Sequence, residues 1–374
     1  MLFNMFTGML TGTLFGIVLY KVGAIRFSRV VGMFLFRDPK ILKFALGTVA
    51  ISSLIYGSAS IFGFSDVLNL TPRVMPFLGW AHLLGGVIFG IVMGLTGLCP
   101  GTSVVHTGSG LCVGGSRSVV YAVMVGLVSG IIAFNFLKTP LIDSGILPAR
   151  PLLLTLNGVL GASYGPVAIV FGAFLLIVIL SFDQFQTKKE YKAIETTGVK
   201  WNFMRDEWHW LAGSIGMASL ICITTMQGQY AGFSGCVLAF VGMVADLFGI
   251  KFSLVPVVND TIYWRSFLII GLLLGAYLAK RVSGLIPDYK DICEYTPGVD
   301  KKFTVPKGFD TKAVFSRFSA GFFLSLGAMI GGGCTSGAFL AAWPTLSIGS
   351  LCMGTTFFVI GILSASIFRR DQLT

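Results

Sequence analysis

Residues 84–103 read LGGVIFGIVMGLTGLCPGTS, and residues 319–338 read SAGFFLSLGAMIGGGCTSGA. Each block is an apolar run that reaches a glycine-flanked cysteine and continues into a second, shorter apolar segment. The aligned blocks share three identities: Gly86 with Gly321, Gly97 with Gly332, and Cys99 with Cys334. This pattern indicates an internal repeat of a membrane helix that is broken beside its cysteine.

The composition of the chain excludes a soluble globular protein. Of its 374 residues, 55% are hydrophobic and 11% are charged, and the mean hydropathy is +0.84. Soluble domains carry about 25% charged residues. The 48 glycines lie inside apolar runs, where membrane helices use glycine at close contacts. An odd count of seven cysteines, most of them in apolar segments, argues against a secreted disulfide scaffold.

Nine apolar stretches are long enough to cross a bilayer, which takes about 20 residues. They are 2–20, 41–63, 78–97, 117–136, 164–182, 207–226, 261–279, 313–332 and 347–368. The first lacks a basic n-region and a clear cleavage site, so we interpret it as a span and not as a signal peptide.

Five further apolar stretches are too short, or too interrupted by Gly and Pro, to span. They are 26–36, 101–113, 151–162, 231–247 and 334–342. Stretches of this kind fit re-entrant or interfacial segments. The predicted fold is an all-α membrane protein with about nine transmembrane helices plus short re-entrant helices.

The basic residues predict the orientation of this topology. With the N-terminus outside, 22 of the 27 Lys and Arg fall on one side. The positive-inside rule assigns that side to the cytoplasm. The formal charge of +11 then reflects cytoplasmic loops and not nucleic-acid binding. The minority on the other side consists of Arg73, Lys138, Arg150, Lys251 and Arg265.

A second correspondence links residues 16–33 with 223–243, so the repeat units begin near residues 2 and 207. Five spans precede the second unit, and this odd number means that the two units cross in opposite directions. Inverted-topology repeats are common in transporters with a solute site near the midplane. The chain then divides into a first transmembrane half (1–182), a cytoplasmic linker of mixed charge (183–206) and a second transmembrane half (207–374).

The two cysteine segments are the candidate solute site. Glycine permits positive φ, and proline can open a helix, so we expect a helix to restart just after each cysteine. The N–H groups of such a helix end attract anions, and a thiol is a polarizable donor suited to a sulfur atom. Neither block contains Asp, Glu, Lys or Arg, so dipoles would bind the anion. The candidate pathway residues are Cys99, Pro100, Gly101, Thr102, Cys112, Cys236, Gly332, Gly333, Cys334, Thr335, Ser336 and Gly337.

A simpler interpretation competes for each cysteine, since a lone cysteine in a membrane helix is usually a small apolar filler. Cys222, Cys293 and Cys352 fit that description. The matched positions of Cys99 and Cys334 favour function, whereas Cys112 and Cys236 stand near the breaks and fit either role. The sequence carries no P-loop, no HExxH motif and no GxSxG motif with catalytic partners, so we predict neither an enzyme nor a metal or cofactor site.

These motifs resemble the YeeE/YedE family of sulfur-transport membrane proteins. GLTGLCPGT (94–102) is similar to a Gly-x-Cys-Pro-Gly element of one family branch, and GGGCTSGAF (331–339) to its Gly-Gly-Cys-Thr-Ser-Gly element. The basic stretch after the first span, residues 21–39, is also similar to that branch. The resemblance implies uptake of a thiosulfate-like anion that cysteines hand on through S–H hydrogen bonds.

One departure from the family pattern concerns a third cysteine. The family often has a cysteine in the Gly-rich element after the first span, where this chain reads VGAIRF (22–27). Cys236 lies in the equivalent element of the second half and is a candidate substitute. We expect the partners to be a small sulfur anion and membrane lipid, with no nucleic acid. The cytoplasmic-side loops offer a surface to a protein partner. The inner or plasma membrane of the cell is the expected location, with an organellar membrane as the alternative.

Two other functions remain open on the sequence. A structural or accessory subunit could keep the fold without carrying a solute, and the extended loop 280–312 would then serve for docking. A nonspecific small-solute channel could also be built from re-entrant half-helices. Solute uptake by the purified protein in liposomes separates these alternatives.

Overall fold

The computed structural model describes residues 1–70, 73–110, 117–195, 204, 207–250, 252–283 and 311–368. Its elements are α1 (Leu2–Val22), α2 (Phe27–Phe34), α3 (Lys40–Ile61), α4 (Trp80–Thr96), α5 (Pro100–Ser109), α6 (Arg117–Asp143), α7 (Leu156–Val159), α8 (Tyr164–Glu195), α9 (Trp210–Met226), α10 (Phe233–Leu247), α11 (Asp260–Val282), α12 (Thr311–Gly331), a π-helix (Thr335–Ala341), a 3-10 turn (Trp343–Thr345) and α13 (Ile348–Phe368). Within these ranges the extended backbone is limited to isolated bridges. The predicted all-α membrane fold is confirmed.

Eight helical segments among the described residues are long and apolar enough to cross a bilayer. One of them, Trp80–Ser109, comprises both α4 and α5. They coincide with eight of the nine predicted spans. The ninth, 207–226, forms α9, whose 17 residues lie at the lower limit for a span.

Helix α8 is longer than the predicted span 164–182, because it continues to Glu195 within the stretch interpreted as a linker. Residues 187–195 read TKKEYKAIE, a run with three Lys and two Glu. These residues have high helix propensity, so the helix persists where the apolar sequence ends. Four of the five predicted short segments correspond to α2, α5, α10 and the π-helix, whereas 151–162 contains only the four-residue helix α7. That they are re-entrant stays a prediction.

Glycines allow the backbones of neighbouring long helices to contact each other directly. A Cβ on Gly8 would collide with the carbonyl of Trp264, and one on Gly12 with the carbonyl of Leu268. Such small-residue seams are typical of packed membrane helices. The numbers rise together along both helices, so α1 and α11 run parallel.

Helices α4 and α12, which contain the two aligned blocks, pack against each other in the opposite sense. A Cβ on Gly85 would meet the backbone of Gly331, and one on Gly327 would meet the backbone of Phe89. The numbers rise along one helix as they fall along the other, so α4 and α12 are antiparallel.

The packing of helices is similar in the two halves. Helix α1 packs on α11 and α9 packs on α3, while α6 packs on α12 and α13 packs on α4. The shorter elements follow, since α2 and the π-helix contact α3 as α10 and α5 contact α11. The contacts match when α1, α2, α3 and α4 are paired in order with α9, α10, α11 and α12. Helix α5 is then equivalent to the π-helix, and α6 to α13. The inverted repeat remains a prediction that this pairing favours.

Candidate functional site

The first cysteine lies at a break between two helices. Helix α4 ends at Thr96, and Gly97 follows in the left-handed region with φ of +62°. Cys99 has an extended backbone and caps α5, which begins at Pro100. The predicted restart of the helix after the cysteine is confirmed here.

The Cys99 thiol participates in a capping box, a motif that usually has Ser or Thr in its place. The Thr102 N–H donates to Cys99 Sγ over 3.4 Å, and the Cys99 N–H donates to Thr102 Oγ1 over 2.9 Å. The Thr102 hydroxyl also lies 3.3 Å from the sulfur. These contacts hold the sulfur as an acceptor at the start of α5 and leave its S–H free to donate elsewhere.

The second cysteine lies at the equivalent break. Helix α12 ends at Gly331, and Gly332 is left-handed with φ of +87°. Cys334 is extended and precedes the π-helix. The helix restarts after the cysteine as predicted, but with π geometry in place of α geometry.

Residues of two elements contact the sulfur of Cys334, which is 1% exposed. The Ser234 N–H, in the first turn of α10, donates to Cys334 Sγ over 3.4 Å. The Ser336 hydroxyl lies 3.2 Å from the same sulfur and accepts from the Phe233 N–H over 3.0 Å. The first turn of α10 therefore contacts the Cys334 break directly through hydrogen bonds.

The structure brings three of the candidate cysteines into one neighbourhood. Cys99 and Cys236 each lie within electrostatic interaction range of Cys334, and Cys236 is fully buried on α10. A Cβ on Gly101 would collide with the ring of Phe233. Phe233 therefore contacts both breaks, through its ring on one side and its N–H on the other. Cys112 lies outside the described residues.

Two cavities that share lining residues have volumes of about 240 and about 280 Å³, and the larger one adjoins the Cys334 break. Arg73, Tyr230 and Arg265 line both of them. Four residues near the break line the larger cavity, namely Ser234, Gly332, Gly333 and Gly337. Three of the candidate pathway residues, Gly332, Gly333 and Gly337, are therefore exposed to a space that can hold a small solute. Pro100, Gly101 and Thr102 line neither of these cavities.

Tyr230 connects the cavity wall to the second break, because its hydroxyl donates to the carbonyl of Gly337. Burial raises the pKa of the Tyr230 phenol, so the hydroxyl stays protonated and remains a donor. The guanidinium of Arg73 lies over the Tyr230 ring, with its carbon 5.9 Å from the ring centroid.

Sequence reasoning missed Arg73, Tyr230 and Arg265 as site residues. A signal was present for the two arginines, since both belong to the minority of basic residues on the outer side of the predicted topology. Arg265 also lies inside an apolar span, where an ionisable residue is costly and usually functional. Tyr230 offered no comparable signal.

The remaining candidate with a described side-chain contact is Thr335. The Thr335 hydroxyl donates to Met93 Sδ over 3.5 Å and so links the π-helix to α4. Among the residues that the structure describes, no three His, Cys, Asp or Glu side chains cluster so as to hold a metal ion.

Comparison with known proteins identifies similar sequences over almost the whole chain. The family model described as Sulphur transport matches residues 26–287. The thiosulfate transporter TsuA of Spirochaeta thermophila is 25% identical over 381 residues, which cover 97% of this chain and 99% of that protein. The thiosulfate transporter TsuA of Escherichia coli is 23% identical over 381 residues, covering 98% of this chain and 95% of that protein.

Proposed function

Because the chain belongs to the sulphur transport family of membrane proteins, we propose that it carries thiosulfate or a closely similar sulfur anion into the cytoplasm. It is a multi-pass integral membrane transporter and not an enzyme. Beyond membership of the family, we propose the identity of the solute, the direction of transport and the residues along the route. The observation that carries it is the pair of cysteines at equivalent helix breaks, joined through the first turn of α10.

The proposed route begins at the cavities lined by Arg73 and Arg265. It continues past Gly332 and Gly333 to Cys334, and from there past Phe233 to Cys99. The buried Cys236 adjoins this line on α10. Each thiol would donate its S–H to the solute while its sulfur is held by a backbone N–H of the protein.

Neutral thiols suit conduction of a sulfur anion for a physical reason. A solute must bind well enough to enter a narrow path and weakly enough to leave it. A fixed positive charge at the centre would hold a dianion too tightly, whereas S–H and N–H dipoles offer moderate and repeated contacts. The soft terminal sulfur of thiosulfate is well matched to a polarizable thiol.

The inward direction is supported by the distribution of charge. In the predicted topology, Arg73 and Arg265 lie on the outer side, and the bulk of the Lys and Arg residues lies inside. A cationic entrance attracts an anion from outside, where it is first encountered. We place this topology in the plasma membrane.

An inverted repeat would give the route its symmetry. The antiparallel packing of α4 and α12 supports such a repeat, since equivalent helices of an inverted repeat point in opposite directions. Cys99 and Cys334 would then lie on opposite membrane sides of the centre, and the solute would contact the two thiols one after the other.

Of the alternatives, the nonspecific channel is disfavoured by burial at the centre. Phe233, Cys236 and Cys334 are 2%, 0% and 1% exposed. The middle of the proposed route is therefore filled by packed side chains and is not an open pore. An accessory subunit with no transport of its own would keep the same fold. Only a flux measurement separates that alternative from a transporter.

The test is uptake of sulfur-labelled thiosulfate by liposomes that contain the purified protein, with empty liposomes as the background. We expect saturable uptake that a thiol reagent inhibits. Uptake at the level of empty liposomes would support the accessory subunit. Equal and reagent-insensitive fluxes of unrelated small solutes would support the channel.

A further inference from the structure

A cluster of charged side chains lies at the cytoplasmic end of the proposed route. Three cations of the first half surround one carboxylate of the second half: the distances to Glu207 Oε2 are 3.9 Å from Arg26, 2.7 Å from Arg29 and 3.4 Å from Lys40. We infer that these cations form an exit site for the transported oxyanion, and that Glu207 closes the exit by occupying this site. The inference rests on the proposed function for the identity of the anion and for its route.

The cluster adjoins the Cys99 break through the segment that joins α1 to α2. Phe27, the first residue of α2, packs at the end of α4, where a Cβ on Gly97 would lie 3.0 Å from the Phe27 ring. The ring of His106, on α5, hydrogen-bonds the backbone of Ile25. The segment therefore contacts the helices on both sides of the break. In the predicted topology it lies on the cytoplasmic side, where a solute that has passed the break must leave.

The side chain of Glu207 lies directly on this segment. Gly23 has φ of +81°, and a Cβ there would collide with Glu207 Oε1. In the corresponding segment of the second half, residues 228–232 line the two cavities described above. At equivalent positions of the predicted repeat, one half thus borders an open space and the other half is covered by a carboxylate. This is the arrangement expected of a route that is open outside and closed inside.

The balance of charge explains why an anion is needed at this point. Asp38 Oδ2 lies 3.2 Å from Arg29 Nη1, so the cluster contains two carboxylates against three cations. If Glu207 moved away, one carboxylate would remain, and the partly buried cations would favour another anion. Guanidinium groups pair with carboxylates and with tetrahedral oxyanions through the same N–H geometry. A thiosulfate-like dianion can therefore replace Glu207 at the same donors.

Replacement of Glu207 by the solute requires little rearrangement. The Trp208 N–H donates to the Lys21 carbonyl over 2.8 Å and holds the backbone, so that only the Glu207 side chain has to move. Arg29 keeps its hydrogen bond to Asp38 and stays in place for the solute. The side chains of these ion pairs are between 17% and 28% exposed, and ion pairs that water reaches contribute little net stability.

A carboxylate in the exit site would serve transport in two ways. It would keep cytoplasmic anions out of the route while no solute is passing. It would also compete with the solute for the cations, so that the solute is released and not retained. Without this competitor, three cations would bind a dianion too tightly for rapid release.

The experiment measures equilibrium binding of labelled thiosulfate to the purified full-length protein in detergent, and initial rates of thiosulfate uptake by liposomes. Glu207→Gln removes the charge of the carboxylate, and Glu207→Asp keeps the charge but shortens its reach. A third variant combines Glu207→Gln with Arg29→Gln. The control is Asp246→Asn, which removes an exposed carboxylate at the end of α10. Thermal unfolding reports whether each variant is folded.

We expect Glu207→Gln to bind thiosulfate at least fivefold more tightly than the unaltered protein, because the competing carboxylate is gone. In liposomes its half-saturating concentration and its maximal rate should both fall several-fold, because release becomes slow. Glu207→Asp should change these values in the same direction by a smaller factor. The added Arg29→Gln should abolish the tighter binding, and Asp246→Asn should behave like the unaltered protein.

An ion pair that only stabilises the fold would give a different pattern, namely a lower melting temperature with unchanged affinity for thiosulfate. A folded Glu207→Gln variant that binds thiosulfate as Asp246→Asn does would overturn the exit site. If Glu207→Gln does not fold, the same result for Glu207→Asp would overturn it. Tighter binding that persists when Arg29 is also replaced would overturn it as well.

The two proposals fail differently. If Glu207→Gln binds thiosulfate more tightly but liposomes with the unaltered protein show no uptake, the oxyanion site stands and the transport function fails. If liposomes take up thiosulfate but the Glu207 variants bind and transport like the control, the transport function stands and the exit site fails.

Discussion

At the scale of single residues, the two central cysteines are held in different ways. Cys99 is fixed by a residue of its own helix, since Thr102 donates to its sulfur from the next turn. Cys334 is fixed from outside by the Ser234 N–H of α10. The first thiol therefore depends on a local cap, whereas the second depends on tertiary packing as well as on the nearby Ser336.

The local cap at Cys99 can be tested with Thr102→Val. This change removes the hydroxyl that accepts from the Cys99 N–H, and losing a cap of this kind costs about 0.5–2 kcal/mol. We expect a lower melting temperature and a several-fold lower rate of thiosulfate uptake. Thr107→Val is the matched control, because the Thr107 hydroxyl donates along its own helix, to the Ser103 carbonyl. Equal uptake by the two variants would mean that the cap does not position Cys99.

Part of the site was predictable at the residue scale and part was not. The breaks at Gly97 and Gly332 could be inferred because glycine next to cysteine interrupts an apolar helix locally. The role of Ser234 could not, since it depends on α10 packing against the π-helix. The same holds for Tyr230 and Arg73, which come together only in the folded chain.

At the scale of elements, the breaks require glycine for two independent reasons. Gly332 has φ of +87°, and its Cβ would lie 2.6 Å from Met75 Cε and 3.0 Å from Leu78 Cδ1. Gly97 has φ of +62°, and its Cβ would lie 3.0 Å from Phe27 Cδ2 and 3.3 Å from the Phe27 carbonyl oxygen. Left-handed backbone alone costs a residue with a side chain about 1–2 kcal/mol. At Gly332 a side chain must in addition displace the ends of the Met75 and Leu78 side chains.

These two costs can be separated by comparing Gly332→Leu with Gly161→Leu. Gly161 also has a positive φ, of +62°, but no atom lies within 4 Å of its Cβ position. We expect Gly161→Leu to fold with a modest loss of stability, and Gly332→Leu to lose most of its folded yield or its uptake. Size-exclusion chromatography of the detergent-solubilised variants measures the folded yield. Similar yields and uptake for both would show that the Gly332 contact is not needed.

The bounds of the helices show what the pattern of apolar residues can and cannot predict. The spans were predictable because length and hydropathy decide them, and the structure confirms eight by the same criteria. The extension of α8 to Glu195 was missed, since its last residues are polar and only their helix propensity indicates the continuation.

At the scale of the whole molecule, the helices run in directions that fit the predicted topology. The parallel pair α1 and α11 are spans one and seven, and the antiparallel pair α4 and α12 are spans three and eight. An odd difference in span number requires antiparallel helices, and an even difference requires parallel ones. The order of spans read from the sequence is therefore consistent with the packing seen in the fold.

The orientation in the membrane is a prediction that labelling can check. Single cysteines placed in 188–200 and 295–305 should react with an impermeant reagent from the same side as the C-terminus, because the 22-residue basic majority belongs to the cytoplasm. Cysteines placed in 62–68 should react from the opposite side. Loops 188–200 and 295–305 on different sides would exclude both the topology and the inverted repeat.

The central claim is that the solute passes the two cysteines at the helix breaks. Initial rates of thiosulfate uptake by liposomes containing Cys99→Ala or Cys334→Ala test it most directly. The buried Cys222, which is 7% exposed, supplies the control variant Cys222→Ala. A hydrogen bond to a charged solute in a dry constriction is worth about 1.5–3 kcal/mol, and each 1.4 kcal/mol changes a rate tenfold.

We predict that Cys99→Ala and Cys334→Ala each insert normally and lower the uptake rate tenfold or more, while Cys222→Ala retains the full rate. Serine at either position keeps a donor but replaces a soft sulfur with a hard oxygen, so it should restore only part of the rate. Alanine variants of Cys99 and Cys334 that transport at the rate of Cys222→Ala would contradict the account.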